Sequence, residues 1–367
     1  MDITAIQVVP GPANYYSHPG ALLRLTTFYN TAQLSHALWL YGGRAIAAAR
    51  PFLPAEFSLE GVQHLQYSGH CTEPDLAKLA QAAGHDRQVV IGVGGGALLD
   101  TAKALARRLN LPFVAIPTIA ATCAAWTPLS VWYNAVGQAS HYEIFNDANH
   151  LVLVEPEILI QAPVEYLLAG IGDTLAKWYE AVVLAPEPEK LPLTVRLGID
   201  TAASLRDVLL NQSEAALADR YRGELSQDFR DVVDAIIAGG GMVGGLGERY
   251  TRIAAAHAVH NGLTILPQTA KYLHGTKVAY GILVQCLLLS DEASARQLID
   301  AYQRFRLPTS LAALGVDVND PAQLDPVITH TLRPKESIHA LPVPVTHESL
   351  RAAILRLETL GQQPGCA

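Results

Sequence analysis

Two rhythms of apolar residues divide this chain. From Ala37 to Val154, short apolar runs alternate with amphipathic stretches. Ala37-Leu38-Trp39-Leu40-Tyr41, Val89-Val90-Ile91, Pro112-Phe113-Val114-Ala115-Ile116-Pro117 and Leu151-Val152-Leu153-Val154 read as strands buried on both faces. Ala45 to Arg50, Pro74 to Ala83 (Leu76, Leu79, Ala82) and Leu98 to Leu109 (Leu99, Ala102, Leu105, Ala106) carry apolar residues at helical spacing. Strands and helices in turn predict a parallel sheet covered on both sides. Residues 2–9 suggest an opening strand ended by Pro10-Gly11-Pro12, and Leu22 to Tyr29 a helix. Leu129–Tyr133 and His141–Phe145 suggest a hairpin around Ala135-Val136-Gly137-Gln138.

Beyond Pro163 the period is helical. Tyr166–Leu184 ends at Pro186-Glu187-Pro188, and Leu191–Leu210, Ser213–Leu217 and Gln227–Ala238 follow as helices. The run Gly239-Gly240-Gly241-Met242-Val243-Gly244-Gly245-Leu246-Gly247 predicts close helix packing or a kinked backbone near a ligand. The expected organisation is an α/β domain over 1–161 and a helical domain over 162–367.

With 367 residues the chain exceeds what one core usually serves, and 50% hydrophobic against 16% charged residues supply ample core. A net charge of −8 without a dense basic run points away from nucleic acid and anionic membranes, toward small-molecule ligands. Cys71, Cys123, Cys286 and Cys366 have no paired spacing, which predicts reduced thiols. Met1-Asp2-Ile3-Thr4 shows no signal-peptide pattern, and no unbroken apolar run is long enough to span a bilayer; the expected location is cytoplasmic.

The densest local signal is Gly94-Gly95-Gly96, between a strand and a helix. Three glycines permit positive φ and close approach of an anion, while the first N–H groups of the helix point outward unpaired. A nucleotide diphosphate suits such a cradle. The spacing is neither Gly-x-Gly-x-x-Gly nor a P-loop, so a tight turn holding no ligand fits equally well. At Gly42-Gly43-Arg44 no acid is present to hold a ribose 2′-hydroxyl, and Arg44 suits a 2′-phosphate, which favours NADP(H) over NAD(H). Arg44 could also be a solvated helix-start residue. Thr118 to Cys123 leaves the carboxyl end of a strand, where open α/β sheets bind ligands. Farther on, Asp173, His257 and His274 would supply one carboxylate and two imidazoles, a set suited to zinc or ferrous iron with one position open. From spacing alone this signal is weak, since a histidine among small apolar residues is more often a satisfied core group.

Several segments, in order along most of the chain, resemble the metal-dependent alcohol and polyol dehydrogenases that include glycerol dehydrogenase, with dehydroquinate synthase a more distant relative. They are Gly94-Gly95-Gly96 with Asp100-Thr101-Ala102-Lys103, Pro117-Thr118-Ile119-Ala120, Gly170-Ile171-Gly172-Asp173, Ala255-Ala256-His257-Ala258-Val259-His260-Asn261-Gly262, Leu273-His274-Gly275 and Glu336-Ser337-Ile338-His339. The resemblance implies an α/β dinucleotide-binding domain and an all-α metal-binding domain, with cofactor and metal facing each other across a cleft, and a homo-oligomer. It implies Asp173, His257 and His274 as metal ligands. It places the cofactor against Gly42, Arg44, Gly94, Gly95, Gly96, Asp100, Thr118, Ala121, Thr127, Leu129 and Tyr133. The iron-type branch has a further histidine four residues after the aspartate, where this chain has Lys177; a three-ligand, zinc-like site is implied.

The departures speak to substrate. Where glycerol dehydrogenase has an aspartate beside the polyol hydroxyls, this chain has Cys123, which removes a repulsive charge and makes an anionic substrate tolerable. Lys177, one turn from Asp173, could then hold a substrate carboxylate, or simply pair with Asp173 or Glu180. Trp126, Trp132 and Tyr133 resemble the hydroxycarboxylate branch, which implies NADPH-dependent reduction of 2-oxo acids such as 2-oxoglutarate and 2-oxobutanoate. Solvent is the expected proton source, with His260 a candidate acid. The alternative is a glycerol or other NAD-dependent polyol dehydrogenase. A lyase of the dehydroquinate synthase kind is disfavoured by Asp173, where that relative has glutamate. A non-catalytic nucleotide-binding protein would not be expected to keep the ligand set.

Overall fold

The computed structural model describes residues 6–134, 137 and 139–361, and the chain divides into two compact units. One comprises Val9–Pro163 and Arg220–Gly245. The other comprises the described parts of Met1–Val8, Val164–Asp219 and Leu246–Ala367.

The first unit is built on a parallel sheet. Its strands are β1 (Tyr15–Ser17), β2 (Ala37–Tyr41), β3 (Gln63–Gln66), β4 (Val89–Gly94) and β5 (Phe113–Pro117). After the antiparallel ribbon β6 (Leu129–Tyr133) and β7 (Ala139–Ile144) comes β8 (Leu151–Val154). The sheet order is β1-β8-β5-β4-β2-β3, every neighbour parallel. Ala37, Trp39, Val89, Ile91, Val93, Val114, Ile116, Leu151 and Leu153 project to one face and share a core with Leu22, Leu25 and Ile158. On the other face Gly92 makes room for the helix Gly96–Arg108, since a Cβ there would lie 2.8 Å from Ala102 Cβ. A methyl group at that point would overpack the layer at a cost of roughly 1–3 kcal/mol.

The strands and helices of the sheet unit lie where the periodicity puts them, with two differences. Residues 6–9 form no strand, and 2–5 lie outside the described residues; the strand is Tyr15–Ser17, beyond the prolines, because Val9 N–H bonds to Gly245 O (3.1 Å) rather than to a sheet neighbour. The edge strand β3, Gln-His-Leu-Gln, carries no strand pattern of its own and is defined by its register with β2. Of the hairpin turn, Ala135, Val136 and Gln138 lie outside the described residues, while its two strands pair antiparallel.

The stretch 220–245 departs from the expected boundary at 161, because its contacts are with the sheet unit. Arg220 donates to Ala162 O (2.8 and 3.0 Å), and Tyr15 Oη donates to Asp234 (2.6 Å) at the end of the helix Gln227–Asp234. The glycine run itself forms the helix Gly240–Gly247, and the irregular backbone is a π-turn over Ala235–Gly239 just before it. Trp126 lies against Gly11 and Gly241, where any Cβ would overlap its indole, and donates from Nε1 to Pro10 O (2.8 Å).

Among the described residues the second unit's regular elements are all helices, with no strand. Leu193–Arg222 is one 30-residue helix rather than two, since Asn211-Gln212 contains neither Pro nor Gly to stop it. Val164–Leu184 and His274–Leu288 touch backbone to backbone. A Cβ on Gly172 would fall on Gly275 O, and one on Gly275 would fall on Ala169 O. Gly281 likewise admits Ala256 O of the helix Ala255–Leu263. Among the described residues no helix is long and apolar enough to cross a membrane.

Candidate metal centre and nucleotide turn

Those glycine contacts draw three side chains together. Asp173 sits in Val164–Leu184, His257 in the first turn of Ala255–Leu263, and His274 opens His274–Leu288. One donor atom from each lies within 4.8 Å of the other two. Asp173 Oδ1 is 3.2 Å from His274 Nε2 and 3.5 Å from His257 Nε2, yet this buried oxygen receives no aligned hydrogen bond. Two ring nitrogens aimed at one carboxylate oxygen, without hydrogen-bond geometry, fit a small divalent cation between them. The His274 side chain is 42% exposed, so the cluster is open on that side.

Glu180, fully buried on the same helix as Asp173, organises the cluster. Its Oε1 accepts from the N–H of Ala254 (2.6 Å) and of His257 (3.1 Å), and its Oε2 accepts from His257 Nδ1 (2.7 Å). A carboxylate only accepts, so Nδ1 keeps a proton and Nε2 is the nitrogen turned to Asp173. The same bonds satisfy two orphan donors at the start of the His257 helix. Buried Gln285 satisfies a third, accepting from Ala256 N (3.1 Å) while donating to Tyr179 O (2.7 Å). Burial opposes a charged His257, but Glu180 and Asp173 on its two sides raise it to about 9. Burial also opposes ionisation of Asp173, but His257, His274 and the charge of Lys177 hold its carboxyl well below the usual range.

His260, the candidate acid, lies next to His274. Its Nε2 is 3.0 Å from His274 Nδ1 and its Nδ1 is 3.0 Å from Asn261 Oδ1. Burial, then the neighbouring His274 and Lys277, push it well below the usual imidazole range. Both of its ring nitrogens are thus engaged, one with Asn261 and one with His274. Glu180 entered the sequence reading only as a potential partner of Lys177. Its spacing, seven residues after Asp173 on one helix face, was the available signal.

In the sheet unit, the turns after β2, β4 and β5 lie side by side, as their strands do. The chain moves from β2 out to β3 and returns on the other side with β4, so the turns at Gly42–Arg44 and Gly94–Gly96 flank the topological switch point, where such sheets take ligands. The glycines act there through space. None of Gly94, Gly95 and Gly96 has positive φ; Gly95 is an extended N-cap (φ −88°, ψ −175°) without a side-chain cap. A Cβ would lie 3.0 Å from Leu98 at Gly94, 2.6 Å from Ile119 at Gly95 and 3.2 Å from Thr122 at Gly96. A shallow pocket beside them is lined by Gly96, Leu99, Pro117, Ile119, Ala121 and Thr122. Arg44 is exposed, one residue into the helix Gly43–Ala49.

The other expected cofactor residues hold this loop. Thr118 N–H bonds to Gly94 O (3.1 Å), and Cys123 O accepts from Trp126 N (2.9 Å) and Thr127 N (3.2 Å). Asp100 is turned inward, to Lys103 Nζ (3.3 Å) and Val131 N (3.2 Å). Burial pushes its carboxyl up and the Lys103 ammonium down. Lys103 also donates to Ala124 O (2.9 Å) and to Leu129 O, which ties the loop to β6. Tyr133 stacks on His70 with ring centres 4.2 Å apart. Cys123 is half-buried in the sheet unit and Lys177 half-buried in the helical one.

Comparison with known proteins agrees with this layout. Residues 12–156 match the model of the iron-containing alcohol dehydrogenases. The chain is 69% identical to hydroxycarboxylate dehydrogenase A of Escherichia coli strain K12, covering 96% of this chain and 98% of that protein. It is 37% identical to glycerol dehydrogenase of Thermotoga maritima, covering 81% of each. The crystal structure of glycerol dehydrogenase from Schizosaccharomyces pombe superimposes with a TM-score of 0.84 at 28% identity, over 97% of this chain and 91% of that one. With sequence and fold matched along nearly the whole length, this chain is a dehydrogenase that belongs to the iron-containing alcohol dehydrogenase family.

Proposed function

We propose that the protein reduces a small 2-oxo acid, of the 2-oxoglutarate or 2-oxobutanoate type, to the 2-hydroxy acid with NADPH. The observation that carries this reading is the 69% identity with a hydroxycarboxylate dehydrogenase over 96% of the chain. The uncharged Cys123 in the loop after β5 supports it. Asp173, His257 and His274 would hold a divalent ion, zinc rather than iron, and the turns at Gly42–Arg44 and Gly94–Gly96 would hold the dinucleotide. When bound, the ion polarises the substrate oxygen and the nicotinamide supplies the hydride.

The chain's own residues set the conditions. Glu180 fixes the ring of His257, and Asp173, kept ionised, supplies the negative charge of the donor set. Lys177 offers a point charge for the substrate carboxylate, one turn from Asp173. Hydride and one proton together convert ketone to alcohol; with His260 engaged behind His274, we assign the proton to solvent. Glycerol dehydrogenases at 37% identity and 0.84 TM-score favour polyol oxidation with NAD as the second reading. Metal-replete enzyme separates the two: NADPH oxidation with 2-oxoglutarate and 2-oxobutanoate, set beside NAD reduction with glycerol. Faster oxo-acid turnover is expected, and faster glycerol oxidation would replace this proposal with the second.

A further inference from the structure

Glu336-Ser337-Ile338-His339 contributes to the family resemblance but has no role in the reading above. Its first two residues reach the helix that carries His257 and His260. Ser337 Oγ donates to Ala254 O at the start of that helix, and Glu336 Oε2 accepts from Asn261 Nδ2 at 2.8 Å. A file of hydrogen bonds continues from there. Asn261 Oδ1 lies 3.0 Å from His260 Nδ1, His260 Nε2 lies 3.0 Å from His274 Nδ1, and His274 Nε2 faces Asp173 Oδ1 at 3.2 Å.

The direction of the whole file follows from its far end. A carboxylate only accepts, so Asn261 must turn its NH2 group to Glu336 and its oxygen to His260. That oxygen takes the Nδ1 proton of His260, which leaves His260 Nε2 an acceptor. His274 must then donate from Nδ1, and its lone pair rests on Nε2, beside Asp173. We propose that Glu336 is a positioning residue that, through Asn261 and His260, fixes the tautomer in which His274 presents Nε2 to a metal ion. Glu336 touches none of the three donors. With an apolar group at 336 the Asn261 amide is free to turn over, the file reverses, and His274 carries its proton on Nε2. This inference rests on the metal role proposed above for Asp173, His257 and His274.

The test is zinc affinity of the full chain, by competition with a chromophoric chelator, with melting temperature measured beside it. Glu336→Gln keeps an oxygen that can accept from Asn261 and should bind within about threefold of wild type. Glu336→Leu should bind about 10- to 100-fold more weakly, the usual effect of losing a group behind a metal-ligating histidine. Arg333→Ala is the control: Arg333, half-exposed, pairs with the other oxygen of Glu336, and its removal leaves the file intact. Should Glu336→Leu fail to fold, Glu336→Ala replaces it. Adding Asn261→Asp to either variant should recover zinc affinity, because a carboxylate at 261 can only accept from His260 Nδ1 and so restores the direction of the file. Wild-type affinity in Glu336→Leu, equal loss in Glu336→Gln and Glu336→Leu, or no recovery in the double variant each overturns the proposal. If wild type and Arg333→Ala take up no zinc, the metal reading itself fails and this one with it.

Discussion

Gly42 offers a direct test of the coenzyme reading. It is the N-cap of Gly43–Ala49, with extended backbone (φ −83°, ψ 147°) open to any residue, and its carbonyl accepts from Ile46 N at 2.9 Å. A Cβ there would meet only Ala45 Cβ at 3.8 Å, Leu98 Cδ1 at 3.9 Å and Tyr67 O at 4.0 Å, ordinary contact distances. Gly42→Asp should therefore fold, and as a better N-cap should gain a few tenths of a kcal/mol. Its effect on coenzyme is electrostatic. Unit charges about 4 Å apart repel by about 1 kcal/mol in water and about 4 kcal/mol at an effective dielectric of 20. For a 2′-phosphate beside this exposed turn we take about 2–3 kcal/mol against NADPH. A charge-assisted bond to the free ribose hydroxyl of NADH adds about 1.5–3 kcal/mol in its favour. The ratio of kcat/KM for NADPH over NADH, measured with one oxo acid, should fall by about 300- to 20,000-fold for the summed 3.5–6 kcal/mol, at about 1.4 kcal/mol per tenfold. Arg44→Ala should lower kcat/KM for NADPH and leave NADH unchanged. A folded, active Gly42→Asp enzyme with an unaltered ratio would refute the assignment of this turn to the adenosine ribose.

Glu180→Ala leaves three buried donors unpaired and should cost roughly 3–5 kcal/mol in urea unfolding. In Glu180→Gln an amide nitrogen meets either His257 Nδ1–H or two backbone N–H groups, and zinc content should drop at least about tenfold; full zinc content there would contradict the orienting role. Because His257 in metal-free protein is raised to about 9, a proton competes with the ion. Zinc affinity should tighten by about tenfold per pH unit as pH rises toward 9 and level off above it. Metal-free stability should run the other way, since a raised pKa adds stability that is present below the unfolded value of about 6.5 and lost as pH climbs through 9. Chelator competition and chemical unfolding across pH 6–10 would show both slopes, and a flat affinity profile would exclude proton competition. Lys177→Ala should raise KM for 2-oxoglutarate about tenfold with little change in kcat, and an unchanged KM would remove Lys177 from substrate binding.

The sheet unit was legible wherever a run was buried on both faces: β2, β4, β5 and β8 need no neighbour to declare themselves. Gln63–Gln66 does, because its side chains are polar and only the register with β2 makes it a strand. At Gly94–Gly96 the strand-to-helix turn was readable, but the reason for its glycines was not. The glycines prevent overlap with Leu98, Ile119 and Thr122 and do not supply positive φ, a fact of tertiary packing invisible in sequence. Asp173, His257 and His274 were named as a set, and three helices do converge on them. Glu180 was missed because its work depends on the arrival of a helix 74 residues later in the chain.

The return of residues 220–245 to the sheet unit affects the order in which this protein can be made. At Pro163 the nascent chain already holds every strand of the sheet, yet Tyr15 still lacks Asp234, and Trp126 lacks Gly241. Domains generally complete themselves as they leave the ribosome, first half first. Here the amino-terminal unit must wait, unfinished, until Gly245 has been synthesised, with the long helix Leu193–Arg222 passing in between. Translation speed and chaperone cover over that interval should therefore govern yield, and a gene cut after codon 163 would deliver an open sheet lacking the cover that Trp126 needs.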